Sequence, residues 1–189
     1  MAASSKDDAL VESVLWSAAD IDKRVAELGR AISSDFEGLP IAVLGIATGA
    51  FMFTADLVRY ISEPHLVDFV RIQSYGNSTV SSGVATISTD CKLDLKDKHV
   101  IVVEDIIDTG VTLSKLVPHL ESKGAASVSV CTLLDKKARR KVELKLPTGG
   151  HFYAGYECPD GFVVGYGMDH AERFRGLPYV GILKPEVYQ

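Results

Sequence analysis

The sequence predicts an α/β fold in which a mostly parallel, twisted sheet is flanked by helices. Two observations carry this. Apolar runs of strand length alternate along the chain with segments of helical spacing, the pattern that builds a parallel sheet covered by helices on both faces. In addition, "GLPIAVLGIATGAFMFTA", residues 38 to 55, carries no charge but is broken by Pro40, Gly45, Thr48 and Gly49. It therefore reads as a buried strand turning into a helix, not as a membrane span.

The elements follow in order. Ser17 with Asp20 three residues later forms a capping-box pattern, and Ile21, Val25, Leu28 and Ile32 continue at helical spacing toward Gly38. "PIAVLGIA" is a buried strand, "GAFMFTADLVRYI" a helix and "LVDFVRIQSY" a second strand. "GNSTVSSGVATISTD" is a long polar segment of the kind that serves as a functional lid or stays disordered. "KHVIVVEDI" is a third strand, "TLSKLVPHLESKG" a helix closed by Gly124 and kinked or altered at Pro118, and "ASVSVCTLLD" a fourth strand. "HFYAGYE" and "FVVGYG" are short strands separated by the turn "CPDG". No repeat, biased linker or charge block divides the chain, so residues 1–189 are expected to form one domain, with residues 1–10 mobile.

Composition restricts the function classes. A net charge of -5 argues against nucleic-acid binding, which needs a basic face. Cys91, Cys131 and Cys158 show neither zinc nor disulfide spacing and fit reduced, buried thiols. The acidic, weakly apolar start does not resemble a signal or transit peptide, so a cytoplasmic protein with no membrane partner is expected.

The chemistry is concentrated in "HVIVVEDIIDTGVTLSKL". In parallel sheets ligands sit at the carboxyl ends of strands, and here those ends are Ala47-Thr48-Gly49, Glu104-Asp105 and Asp135-Lys136. Glu104 and Asp105 at a strand terminus need water or a cation. Thr109, Gly110 and Thr112 then offer hydroxyls and free N–H groups at a helix start, a phosphate cradle. Anion binding beside carboxylates suits a ligand with a phosphate at one end and hydroxyls or magnesium at the other, such as a sugar phosphate. The chain has no Walker A loop and no G-x-G-x-x-G. Its single "DTG" lies in a βα unit, unlike the paired turns of aspartic proteases.

"VIVVEDIIDTGVTLSKL" resembles the signature of type I phosphoribosyltransferases, and "EDIIDTG" is similar to their hypoxanthine-guanine branch. "GAFMFTADLVRYI", "VDFVRIQSYGNST", "LLDKKARR" and "PDGFVVGYGMDHAERFR" match further family segments in the same order. The resemblance implies the type I phosphoribosyltransferase fold with a small hood formed by terminal segments. It implies magnesium-dependent transfer of ribose 5-phosphate from phosphoribosyl pyrophosphate (PRPP) to hypoxanthine or guanine, giving IMP or GMP and pyrophosphate, by a homo-oligomer. It also implies roles for residues. Glu104 and Asp105 hold the ribose hydroxyls and one magnesium ion, and Asp169 ligates a second. Asp108, Thr109, Gly110, Val111 and Thr112 wrap the 5-phosphate. Asp108 also partners purine N7 as hydrogen-bond acceptor or general base, with a helix N-cap as its alternative role. Lys136 donates to the 6-oxo group, Phe162 stacks on the base and the Val163 backbone reads its edge. Thr48, Gly49 and Arg175 contact pyrophosphate, and Ser74 and Tyr75 open the lid. In two places the chain departs from the family pattern. Thr48-Gly49 stands where relatives carry Lys-Gly, with a cis peptide expected at Ala47-Thr48, and Val111 replaces a lysine of some relatives. A phosphoribosyltransferase for xanthine or a pyrimidine, and a non-catalytic nucleotide sensor of the same fold, are the alternatives.

Overall fold

The computed structural model describes residues 6–74 and 85–189. Its main layer is a six-stranded sheet of order β4-β3-β2-β5-β6-β7. The strands are β2 (Ile41–Ala47), β3 (His65–Ser74), β4 (Ala85–Thr89), β5 (His99–Ile107), β6 (Ser127–Asp135) and β7 (Phe152–Glu157). β2, β3, β5, β6 and β7 run parallel, and β4 closes one edge antiparallel to β3. Within the long polar segment, β4 is a strand that the Ser- and Thr-rich "ATIST" conceals. It is an edge strand, and among its described side chains Ile87 packs on the neighbouring core. Tyr75, the proposed lid partner of Ser74, lies outside the described residues.

Alternation along the central strands feeds two cores. Ile41 and Val43 of β2 with Ile101 and Val103 of β5 face α1 (Ala18–Asp35) and α2 (Phe51–Leu57), where Ile21, Val25, Leu28, Ile32, Phe53 and Leu57 are buried. The intervening Ala42, Leu44, Val100 and Val102 face Leu113, Leu116, Val117 and Leu120 of α3 (Val111–Ser122). The start of α1 follows its sequence signature: the Ser17 N–H donates to Asp20 Oδ2 at 3.0 Å, and the Asp20 N–H donates back to Ser17 Oγ at 3.3 Å. The α3 helix continues through Pro118.

A second, antiparallel sheet of order β1-β9-β8 forms the hood from β1 (Val11–Trp16), β8 (Val163–Val164) and β9 (Val180–Leu183). "FVVGYG" therefore pairs with the C-terminal region and not with "HFYAGYE". The chain start is also tied down: Asp8–Leu10 forms a 3-10 turn, Asp7 pairs with Arg173, and the Tyr179 hydroxyl donates to Asp8. Residues 1–5 lie outside the described residues. The short helix α4 (Pro185–Tyr188) ends the fold. Among the described residues no helix is long and apolar enough to cross a membrane, and residues 38–55 form β2 and α2 as their breaks predict.

Candidate active site

The parallel register brings the carboxyl ends of β2, β5 and β6 to one edge. A cleft of about 470 Å³ opens there, bounded by β5, the turn after β6 and the hood. Of the site residues expected from sequence, Asp105, Asp108, Lys136, Phe162, Val163 and Asp169 line it. Ile106, Arg139, Asp160, Gly161, Met168 and Tyr188 line it too, although the sequence assigned them no site role.

Glu104 and Asp105 end the apolar face of β5. Glu104 is buried, and its Oε2 has no hydrogen-bond partner among the described residues. Burial above all, then repulsion from Asp105, drives its carboxyl well above the ordinary range, against the pull of Arg140. Burial likewise pushes Asp105 up to about 6, although backbone N–H groups and Arg175 favour the charged form; Asp169 adds to the repulsion. A buried Glu104 carboxyl next to a half-buried Asp105 at the cleft wall is matched by hydroxyl donors or a hard cation.

At the end of β5 the chain turns into α3 through Gly110, whose φ of 81° places it in the left-handed region that glycine tolerates. Gly110 is the N-cap, so the N-cap alternative for Asp108 is not realised. Asp108 Oδ1 is instead buried without a hydrogen-bond donor; Arg139 Nε stands 3.3 Å away as an ion pair lacking hydrogen-bond geometry. Val111 and Thr112 form the first turn of α3; the Val111 N–H donates to Thr109 Oγ1 at 3.5 Å, and Thr112 offers its N–H at the open end. The Lys141 and Val142 N–H groups both donate to the Thr109 carbonyl, which braces the cradle from behind. Arg140 reinforces this brace by donating to the Asp108 carbonyl at 3.3 Å and pairing with buried Asp135.

The basic run after β6 divides by position. Lys137 is exposed and pairs with Glu157, whereas Lys136 is only 5% exposed. The Lys136 ammonium donates to the Gly161 carbonyl at 2.6 Å, with Asp160 at 3.8 Å. Two of its three donors stay available toward the cleft. The Phe162 ring stacks on Tyr188, centroids 4.9 Å apart, and meets the edge of His170 at 5.2 Å. Tyr188 escaped the sequence reading because nothing local distinguishes the next-to-last residue of a chain.

Thr48 and Gly49 follow β2 after a cis Ala47–Thr48 peptide, as the resemblance implied. An added Cβ on Gly49 would lie 2.1 Å from Asp105 Oδ2, and one on Gly167 would lie 2.0 Å from the Gly49 carbonyl. The loop is thus wedged between β5 and the Gly165–Gly167 turn. Arg175 donates to the Gly167 carbonyl at 2.9 Å and pairs with Asp169 at 2.8 Å and Glu172 at 2.9 Å. Among the described residues no three His, Cys, Asp or Glu side chains are arranged to hold a metal by themselves. Ser74 ends β3.

Comparison with known proteins agrees with this geometry. Residues 17–171 match the family model described as phosphoribosyl transferase domain. The chain is 44% identical over 179 residues to the hypoxanthine-guanine phosphoribosyltransferase of Bacillus subtilis, covering 95% of this chain and 97% of that protein. A Staphylococcus aureus protein of the same name is 39% identical over 178 residues, covering 94% and 97%. A crystal structure of a hypoxanthine phosphoribosyltransferase from Staphylococcus aureus superposes with a TM-score of 0.91 at 38% identity, covering 100% of both chains. One of a hypoxanthine-guanine phosphoribosyltransferase from Bacillus anthracis gives 0.84 at 40% identity, covering 92% of this chain and 99% of that one.

Proposed function

This chain belongs to the phosphoribosyl transferase family, and from that premise we propose that it is a purine-salvage enzyme converting hypoxanthine or guanine and PRPP to IMP or GMP and pyrophosphate. The observation that carries the reading is one cleft lined by Asp108, Lys136, Phe162 and Val163 together with Asp105, the strand neighbour of buried Glu104.

In the reaction a purine ring nitrogen bonds to the ribose anomeric carbon as the bond to pyrophosphate breaks. Positive charge develops on the ribose and negative charge on the leaving group. Glu104 and Asp105 would accept hydrogen bonds from the ribose hydroxyls; the unpartnered Glu104 oxygen supports that role. The turn from Asp108 to Thr112 would hold the 5-phosphate on backbone N–H groups. Asp108 Oδ1, which faces Arg139 at 3.3 Å but accepts no hydrogen bond, would accept the proton at purine N7. The free donors of Lys136 would bond a 6-oxo group and disfavour adenine, whose 6-amino group is itself a donor. Phe162 would stack on the base, and the Val163 backbone would read its edge. Arg175 would meet pyrophosphate alongside Thr48 and Gly49, and Ser74 with Tyr75 would begin a lid that excludes water.

Magnesium fits this donor set. Mg²⁺ commonly takes one or two carboxylates and completes its shell with water and substrate oxygens, so the lack of a three-ligand cage among the described residues is in keeping with it. Glu104 and Asp105 are the residues that would hold one ion and Asp169 a second, and bound there they would neutralise the leaving pyrophosphate. Exposed Phe51, Val67 and Phe69 support a homo-oligomer, and the net charge of -5 supports small-molecule substrates over nucleic acid in a cytoplasmic protein.

The test is nucleotide formation from PRPP and magnesium with hypoxanthine, guanine, xanthine, adenine and uracil supplied singly. Turnover of hypoxanthine and guanine alone is expected. Turnover of adenine or uracil, or of no base, would overturn the reading.

A further inference from the structure

We propose that Arg71 of β3 is a pyrophosphate-binding residue of this chain, supplying across the strand pair the cation that the Ala47-Thr48-Gly49 loop lacks. The inference rests on the phosphoribosyltransferase reading above. The loop that follows β2 contains no charge between Pro40 and Phe53, although the leaving group it would face is a multiply charged anion. An uncharged loop can hold such an anion only through backbone N–H and hydroxyl donors, unless a cation is brought from elsewhere.

The sheet register brings one. Ala47 and Arg71 are partners in the parallel β2–β3 pair, so Arg71 stands level with the last residue of β2. Its side chain turns toward the loop, and Arg71 Nη2 donates to Thr48 Oγ1 at 3.3 Å. That bond uses one of five guanidinium donors and leaves an edge free for phosphate oxygens.

The other cations of the site are committed to carboxylates. Arg175 pairs with Asp169 and Glu172, Arg139 with Asp108, and Arg140 with Asp135, while Lys136 lies near Asp160. Arg71 makes no ion pair among the described residues. A guanidinium that is fixed at one donor and not neutralised is arranged for an anion from outside the chain. On the opposite flank, Arg175 reaches the same loop through Gly167, which abuts the Gly49 carbonyl. Two guanidinium groups thus bracket the loop, and of the two it is Arg71 whose unpaired charge would stand in for the lysine carried there by relatives.

The experiment compares wild type, Arg71→Ala, Arg71→Lys and the double variant Arg71→Ala with Thr48→Lys. It reads KM for PRPP and for hypoxanthine, inhibition by inorganic pyrophosphate, and calorimetric binding of magnesium pyrophosphate and of IMP. Arg71→Ala should weaken PRPP and pyrophosphate by about tenfold or more, with IMP binding and the hypoxanthine KM changed less than about twofold. Thr48→Lys should restore much of the pyrophosphate affinity in the Arg71→Ala background. Unchanged pyrophosphate binding in Arg71→Ala, or an equal loss of IMP binding, would overturn the proposal. A wild type that binds pyrophosphate but turns over no base would refute the enzymatic reading instead, and the calorimetry would still decide the role of Arg71.

Discussion

Asp105→Asn should make the ligand-free protein more stable while removing its ability to bind PRPP. The structure sets the size of the effect. Asp105 has its carboxyl pushed from 3.8 to about 6, mainly by burial, so its charged form is disfavoured in the folded state. At about 1.4 kcal/mol per tenfold change in proton affinity, the charge costs at most about 3 kcal/mol. The sign follows from proton counts. Between 3.8 and about 6 the folded protein holds a proton that the unfolded chain has released, so stability falls as pH rises through this window and the full cost is present above it. Asparagine keeps the shape and the acceptor for the backbone N–H groups without the charge. For a chain of this length, each kcal/mol moves Tm by about 2–4 °C. Thermal unfolding followed by circular dichroism should therefore show a rise of up to about 6–12 °C for Asp105→Asn at about pH 8, and about half that at about pH 5. PRPP, supplied with magnesium, should raise the Tm of wild type but not of the variant. A variant less stable than wild type at the higher pH, or a gain independent of pH, would refute the claim that Asp105 is held charged at a cost to the fold.

Three further outcomes are expected. Asp108→Asn should lower kcat by about 100-fold or more while PRPP affinity changes little, because a general base commonly contributes at least that factor; parallel loss of PRPP binding in calorimetry would contradict its assigned role. Lys136→Met should raise the hypoxanthine KM by about 10- to 100-fold, the equivalent of about 1.5–3 kcal/mol for a hydrogen bond from a charged donor, and leave the PRPP KM nearly unchanged. In Gly49→Ala the new Cβ would lie 2.1 Å from Asp105 Oδ2, so steady-state kinetics should show loss of PRPP use although circular dichroism still reports a folded protein.

How far the sequence could be read depended on how local the physics was. The acidic pair, the Thr-Gly turn and the capping box at Ser17 are consecutive or near-consecutive residues, and their chemistry is set by neighbours in the chain. The strands β2, β5 and β6 are buried on both faces and so announce themselves as continuous apolar runs. Edge and hood strands do not. β1 contains no fully buried residue, and β4 alternates Ser and Thr with one inward Ile87, so neither carries a hydrophobic signature.

By itself the sequence determined the alternating α/β pattern, the family resemblance and the residues around which the cleft is built, because burial pattern and turn chemistry are written in short windows. Only the tertiary structure decided which cations are spent and which are free. Lys136 is buried against Gly161 while Lys137 is in water, Arg140 neutralises Asp135, and Arg71 reaches Thr48 across a strand pair. It likewise brought Tyr188 against Phe162 from the far end of the chain. The pairings within "LLDKKARR" depend on which way each side chain faces, and those of Arg71 and Tyr188 join residues distant in sequence. The register that unites the latter is set by the packing of the whole sheet and hood.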